Sequence, residues 1–282
     1  MPLRRARLGD LQIEDERSFS HVALYADLKA IVERSDLSFL VPDKGELAWD
    51  AAALLNLTYW SPGVADVLAA PSIPADVVAH VAWHHLCDRS VAPSVQANLL
   101  GESVASAFDF YLVGRLLGRS PDAPFLETQV PRMAEAAEAA GYEPDAFERL
   151  LTEAAEAPER AFEDLRELLF DTSIALANAA CAEDAAQILE AAAGHRFSPI
   201  LHHYELANWV LRSKLYAATA RTDGGVDARR VDAELRAAPD PVRWLEDRWL
   251  APALSGAGDA KPRDERDRSA AGAAAARGAQ NG

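Results

Sequence analysis

The sequence predicts an all-α, multi-helix bundle, with one helical domain over residues 20–254 between an irregular arm at 1–19 and a disordered tail at 255–282. Three observations carry that reading. Apolar residues recur at helical spacing along most of the chain, and no stretch shows the strict polar/apolar alternation of a half-buried strand. A capping side chain followed by proline recurs at Ser61-Pro62, Ser120-Pro121, Ser198-Pro199 and Asp240-Pro241, where the missing N–H of proline is harmless at a first helical position. No period of about 30 to 45 residues marks a helical repeat.

Taken in order, residues 1–19 are mixed and charged. Ser20 to Arg34 is the first expected helix, with Val22, Leu24, Tyr25, Leu28, Ile31 and Val32 on its apolar face, and Ser35 to Gly45 is a loop. Glu46 to Trp60 is the second helix. Asp76 to Arg89 and Val95 to Leu117 follow, separated by Pro93 and a capping Ser94. Pro121 to Pro131 is short and broken by prolines. Met133 to Ala140 and Asp145 to Glu156 read as amphipathic helices, Pro158 opens a helical region reaching about Gly194, and Ser198 to Ala220 is the next helix. Val226 to Ala238 and Pro241 to Leu254 close the domain. From Ser255 onward no large apolar residue occurs, so that tail has nothing with which to build a core.

Size and charge narrow the function. A chain of 282 residues is long enough to bury a substantial core. Its net charge of -16 offers no counterion release to nucleic acid or to an anionic membrane, so neither is expected as a partner. No run of about 18 apolar residues marks a membrane span, and Arg4, Arg5 and Arg7 precede no apolar signal core. Two cysteines, Cys87 and Cys181, are too few for a disulfide framework and fit a reducing cytoplasm.

The helices at 76–89 and 95–117 carry the chemistry. At about 100° per residue, Asp76, His80, His84 and Cys87 share one stripe of the first. Asn98, Glu102, Ser106 and Asp109 share a stripe of the second. No Lys or Arg occurs between Val91 and Gly114, which points to burial of the second helix on nearly all sides. Gly101 and Gly114 cost roughly 1 kcal/mol each relative to Ala, a penalty that fits a neighbouring backbone packed close by. Buried carboxylates and imidazoles need partners, which can be other side chains, water or a metal.

Six of the seven histidines fall in two clusters, His80/His84/His85 and His195/His202/His203. A His-x3-His pair puts two imidazoles on adjacent turns, suited to one ion, and carboxylates from neighbouring helices complete such a site. The expected ligands are His80, His84, Glu102 and Asp109, joined by His202 or His203, with Glu205 or Asp171 in reserve. Iron or manganese fits that donor set, and zinc would fit if Cys87 took part. Trp83, Phe108, Tyr111 and Trp209 are the candidate lining of an apolar pocket for a small organic substrate. The function so read is a metal-dependent oxidase or hydroxylase.

The bland alternative is that these histidines are hydrogen-bonded core residues and that the chain is a non-catalytic interaction protein. Its acidic helices over Ala134 to Glu167, together with the tail, would then meet a basic protein partner. Asp76 reads as a first-turn residue facing the helix dipole, and Cys87 as an inert buried thiol. The Glu-x-x-His pair of di-iron bundles, the nucleophile elbow, the phosphate loop and the His-Glu-x-x-His motif are all absent.

Overall fold

The computed structural model describes residues 2–58, 63–217 and 226–256. The helix-dominated architecture is as expected. Among the described residues the helices are α1 (Ala23–Arg34), α2 (Trp49–Thr58), α3 (Ala75–Ser90), α4 (Val95–Leu117), α5 (Pro124–Ala139), α6 (Pro144–Glu156), α7 (Pro158–Asn178), α8 (Ala182–Ala192), α9 (Leu206–Ala217), α10 (Ala228–Ala237), α11 (Pro241–Leu245) and α12 (Ala251–Leu254). A π-helical turn at Glu246–Leu250 joins the last two without a break. Among the described residues no helix is long and apolar enough to cross a membrane. The expected helix end at Tyr59 and Trp60, the Ser61-Pro62 start and the tail from 257 lie outside the described residues.

Helix α4 is the axis of the molecule. It packs most extensively on α7 and α3 and also meets α6 and α9. Its buried residues, among them Leu99, Leu100, Val104, Phe108, Phe110, Leu112 and Leu116, occupy every direction around it, which is why it carries no cation before Arg115. Ser94 caps it, accepting from the Ala97 N–H at 3.0 Å. Gly114 meets the expectation of close backbone approach: a Cβ there would stand 2.4 Å from the Ala154 carbonyl oxygen on α6. Gly114→Ala should therefore push α6 off α4 and destabilise the fold by about 1–3 kcal/mol, an overpacking cost. Chemical denaturation would measure it, and an unchanged midpoint would show that the two helices separate without cost.

The N-terminal residues are not an irregular arm. Strand β1 (Leu3–Ala6) pairs antiparallel with β3 (Ser38–Pro42), Leu3 opposite Pro42 and Ala6 opposite Phe39. Strand β4 (Val64–Val67) lies parallel on the other edge of β3. A second pair, β2 (Gln12–Glu14) with β5 (Ser72–Pro74), is parallel and runs straight into α3. All five residues of β3 are buried, so it presents no polar/apolar alternation, as expected of a strand covered on both faces. The other strands are only three or four residues long, too short to establish a period. Phe19, fully buried between Tyr25 and Phe125 at ring separations of 5.3 and 5.6 Å, ties this segment to the helices.

Several helix limits also shift. The first helix starts at Ala23, because Glu16–Phe19 form a 3-10 turn. Ser120-Pro121 does not open a helix; α5 starts at Pro124 and continues through Pro131. The region from Pro158 divides at 179–181 into α7 and α8. Ser198-Pro199 opens a 3-10 segment, Ser198–Tyr204, which ends at Glu205 in the left-handed conformation with φ of 49° before α9 begins. Among the described residues Asp240-Pro241 is the one such pair that behaves as expected, with the Asp240 carboxylate accepting from the Arg243 N–H at 2.9 Å.

An ionic network joins α7 to α10. Arg166 is fully buried and grips both oxygens of Glu163, at 2.7 and 2.6 Å, and Asp232 at 2.8 Å. Arg236 extends the network to the other Asp232 oxygen, to Asp171 and to Glu167.

Candidate metal centre

Helices α3 and α4 bring four of the expected ligands together. The His80 Nδ1 lies 2.9 Å from an Asp109 oxygen. The two Nε2 atoms of His80 and His84 are 3.2 Å apart, and His84 Nε2 is 3.5 Å from a Glu102 oxygen. Among the described residues, His80, His84 and Glu102 are the group of His, Cys, Asp and Glu side chains near enough to share one ion, with one donor atom of each within 4.8 Å of the others. All of these side chains keep some exposure, from 19% for Glu102 to 33% for His84, so small solutes can reach them.

Local sequence explains the convergence. The i, i+4 spacing stacks His80 and His84 on one face of α3. Gly101, one residue before Glu102, lets α4 approach, since a Cβ there would stand 3.3 Å from His84 Nδ1 and 3.4 Å from Cys87 Sγ. Glu102 and Asp109, two turns apart on α4, then bracket the imidazole pair from either end.

The donor atoms suit an ion. Metal–nitrogen and metal–oxygen bonds of about 2.1 Å place neighbouring ligand atoms about 3.0 Å apart in octahedral geometry and about 3.4 Å apart in tetrahedral geometry. The 3.2 and 3.5 Å separations match that range. Asp109, by accepting from His80 Nδ1–H, orients the ring so that Nε2 faces His84 and Glu102, the outer carboxylate arrangement found behind metal-bound histidines. Without an ion, Asp109, His80 and His84 are hydrogen-bonded in series, and Glu102 stands 3.5 Å from His84 Nε2.

Electrostatics follow from that chain. Burial disfavours a charged His80, yet the Asp109 carboxylate, by charge and hydrogen bond, and then Glu102 and Asp66 outweigh it and hold the imidazole up to about 9. Burial also acts against an ionised Glu102, but the charges of His84, His80 and Arg212 bring it down to about 2. Asp76 is pushed up to about 7 by burial and then by the Asp109 charge.

The other expected site residues fall elsewhere. His202 is exposed on the 3-10 segment and is not brought into the group. His203 is half-buried, edge-on to Tyr204 at 5.1 Å, and burial followed by Arg132 lowers its pKa against the pull of Asp109. Asp171 belongs to the Arg236 network and Glu205 accepts from Asn208 at 2.6 Å, so neither joins the histidines. Cys87 is buried, points its thiol at the Ala97 carbonyl at 3.5 Å, and burial raises its pKa well above the usual thiol value. It stays an inert thiol, which leaves nitrogen and oxygen donors alone.

The expected aromatic lining is a packed seam. Trp83 and Phe108 are fully buried against each other at 5.3 Å, and Phe108 stacks on Tyr111 at 5.1 Å. The Tyr111 hydroxyl accepts from Arg115. Trp209 is buried against Tyr204 at 6.2 Å. Side chains of this size sit in the core because burying them stabilises the fold more than a polar site could repay.

Two contributors escaped sequence reasoning. Asp66, on β4, is half-buried near His80, His84, Glu102 and Arg212, and burial raises its pKa. It is held there by Asn56 of α2, whose amide grips the Val67 N–H and carbonyl at 2.7 and 2.9 Å. The available signal was a lone charge in the apolar run from Val64 to Ala70. Asp76 was read as a first-turn residue; it also faces Asp109 across the site.

The chain matches no protein-family model, no curated protein and no solved structure.

Proposed function

We propose that this protein is a metal-dependent enzyme with a two-histidine, one-carboxylate centre of His80, His84 and Glu102, using iron or manganese to oxidise or hydroxylate a small organic molecule. One observation carries the reading: His80 directs Nε2 at the same point as His84 Nε2 and Glu102 while Asp109 holds its other nitrogen. Three ligands leave open positions, and an iron ion so held supplies oxygen-activating redox chemistry. The residues themselves supply position and charge: Asp109 orients His80, Glu102 remains ionised at neutral pH, and Asp66 and Arg212 set the surrounding field.

A second reading, a non-catalytic interaction protein, draws support from four large apolar residues left exposed: Trp49 and Leu54 on α2, and Leu211 and Leu215 on α9. Metal analysis separates the two. Protein purified without a His-tag should carry about one equivalent of iron or manganese that His84→Ala with Glu102→Gln removes. Metal-free protein that takes up neither ion, and whose Tm a chelator leaves alone, would favour the interaction reading.

A further inference from the structure

Helix α9 is apolar on two opposite sides. Leu206, Trp209, Val210 and Ser213 are buried against the core. On the far side Ala207, Leu211 and Leu215 recur at i, i+4 and i+8, with Lys214 beside them. Leu211 and Leu215 are 62% and 66% exposed, yet a helix that is apolar all round belongs in an interior. Helix α2 repeats the pattern. Ala52 is buried and Asn56 fastens the helix to Val67, while Trp49 and Leu54, with the exposed Asp50, are 71% and 62% exposed. Arg132 of α5 stacks over the Trp49 ring at 5.9 Å, a combination of residue types enriched at interface hot spots. Among the described residues, large apolar side chains are exposed only on these two helices and at Val226. Their charges are complementary: Glu46 and Asp50 are the exposed charges at the start of α2, and Lys214 is the exposed charge of the α9 stripe.

We propose that a second copy of this chain covers both patches. Helix α2 of one protomer lies on α9 of its partner, Trp49 and Leu54 against Leu211 and Leu215 of the partner subunit and Asp50 beside Lys214 of the partner subunit. A twofold axis repeats the contact. A standard interface covers about 800 Å2 per protomer, more than either pair of apolar side chains offers, so a stable dimer uses both helices. A basic protein partner would be drawn to the acidic surface of a chain carrying -16, not to an apolar stripe bearing Lys214. A lipid surface would leave the carboxylates of Glu46 and Asp50 unpaired. Self-association accounts for the exposed residues whichever chemistry the metal centre performs, and it stands without that centre.

The test is sedimentation of the chelator-treated full chain over a range of concentrations. Wild type should form a dimer, and Leu211→Asp with Leu215→Asp should leave it monomeric, because a bare charge is not tolerated in a desolvated contact. Asp50→Lys and Lys214→Glu should each weaken the dimer by about tenfold or more, since each sets like charges together at both contacts. An equal mixture of those two variants should dimerise again, opposite charges being rejoined at both contacts of the mixed pair. All four substituted positions are exposed, and an unchanged circular dichroism spectrum would exclude unfolding as the cause. A wild type that stays monomeric, a dimer indifferent to the leucine substitutions, or a mixture that fails to dimerise would each overturn the proposal. A monomer that binds phosphatidylcholine vesicles and loses that binding with Leu211→Asp would overturn it in favour of a lipid surface.

Discussion

Arg166→Ala should destabilise the protein by about 3–5 kcal/mol, the cost of stripping the partner from a buried ion pair, and lower Tm by roughly 10 °C. The guanidinium is fully buried, and its partners Glu163 and Asp232 are each 14% exposed. Truncation therefore leaves two carboxylates facing each other in poor solvent, with Asp232 still held by Arg236 and Glu163 by nothing in this network. Arg166→Lys should lose part of the same stability, because a single ammonium cannot reproduce the two parallel bonds to Glu163. Arg236→Ala offers the contrast. Its links to Glu167 and Asp171 involve side chains 44% and 62% exposed, such pairs contribute at most about 1 kcal/mol each, and the Asp232 carboxylate it also binds stays held by Arg166. Thermal or urea unfolding of the three variants gives the ranking. An Arg166→Ala protein melting within a degree or two of wild type would mean that α7 and α10 are held by apolar packing alone.

This network was invisible in the sequence for a reason that applies generally. Arg166 lies at an ordinary position in a helix rich in acids, and only the fold brings Asp232 from another helix against it. Features that depend on one element were legible. The missing cations along α4, the stripe of Asp76, His80 and His84, and the glycines that admit neighbouring helices all follow from residue type and helical angle, and each is present in the fold. Features that depend on long-range pairing were not. β3 is buried on both faces and resembles any apolar loop, and Asp66 enters the site only because β4 pairs with β3 and Asn56 pins Val67. Proline was over-read as a helix start. Pro131 sits inside α5, where the helix passes through it, and Ser120-Pro121 precedes the helix by three residues. His202 was grouped with the ligands by adjacency in sequence, yet a 3-10 segment turns it outward.

Without an ion at the proposed centre the protein should lose stability as pH rises from about 6.5 to 9, and supplying the proposed iron or manganese should abolish that loss. In the metal-free chain burial lowers the pKa of His80, but the Asp109 carboxylate outweighs it and holds the imidazole up to about 9. A group whose folded pKa lies above its unfolded value contributes stability that is complete below about 6.5 and gone above about 9. Glu102, lowered to about 2, acts at the other end: its contribution is complete above about 4.5 and fades as pH falls toward 2. Asp76, raised to about 7, works against the fold increasingly between about 4 and 7. The metal-free site is thus self-sufficient only in mildly acidic solution. An ion coordinated by His80 Nε2 must displace the proton held there, so binding releases a proton and tightens with rising pH over the same window. At a metal concentration about 100 times Kd, binding adds about 2.7 kcal/mol to stability. The gap in Tm between loaded and chelator-treated protein should therefore widen steadily from pH 6.5 to 9. His80→Ala should remove both the widening and the metal. A gap that stays constant across this range, or that closes as pH rises, would show that the imidazole proton is not exchanged for an ion and would leave Asp109, His80 and His84 as a hydrogen-bonded series.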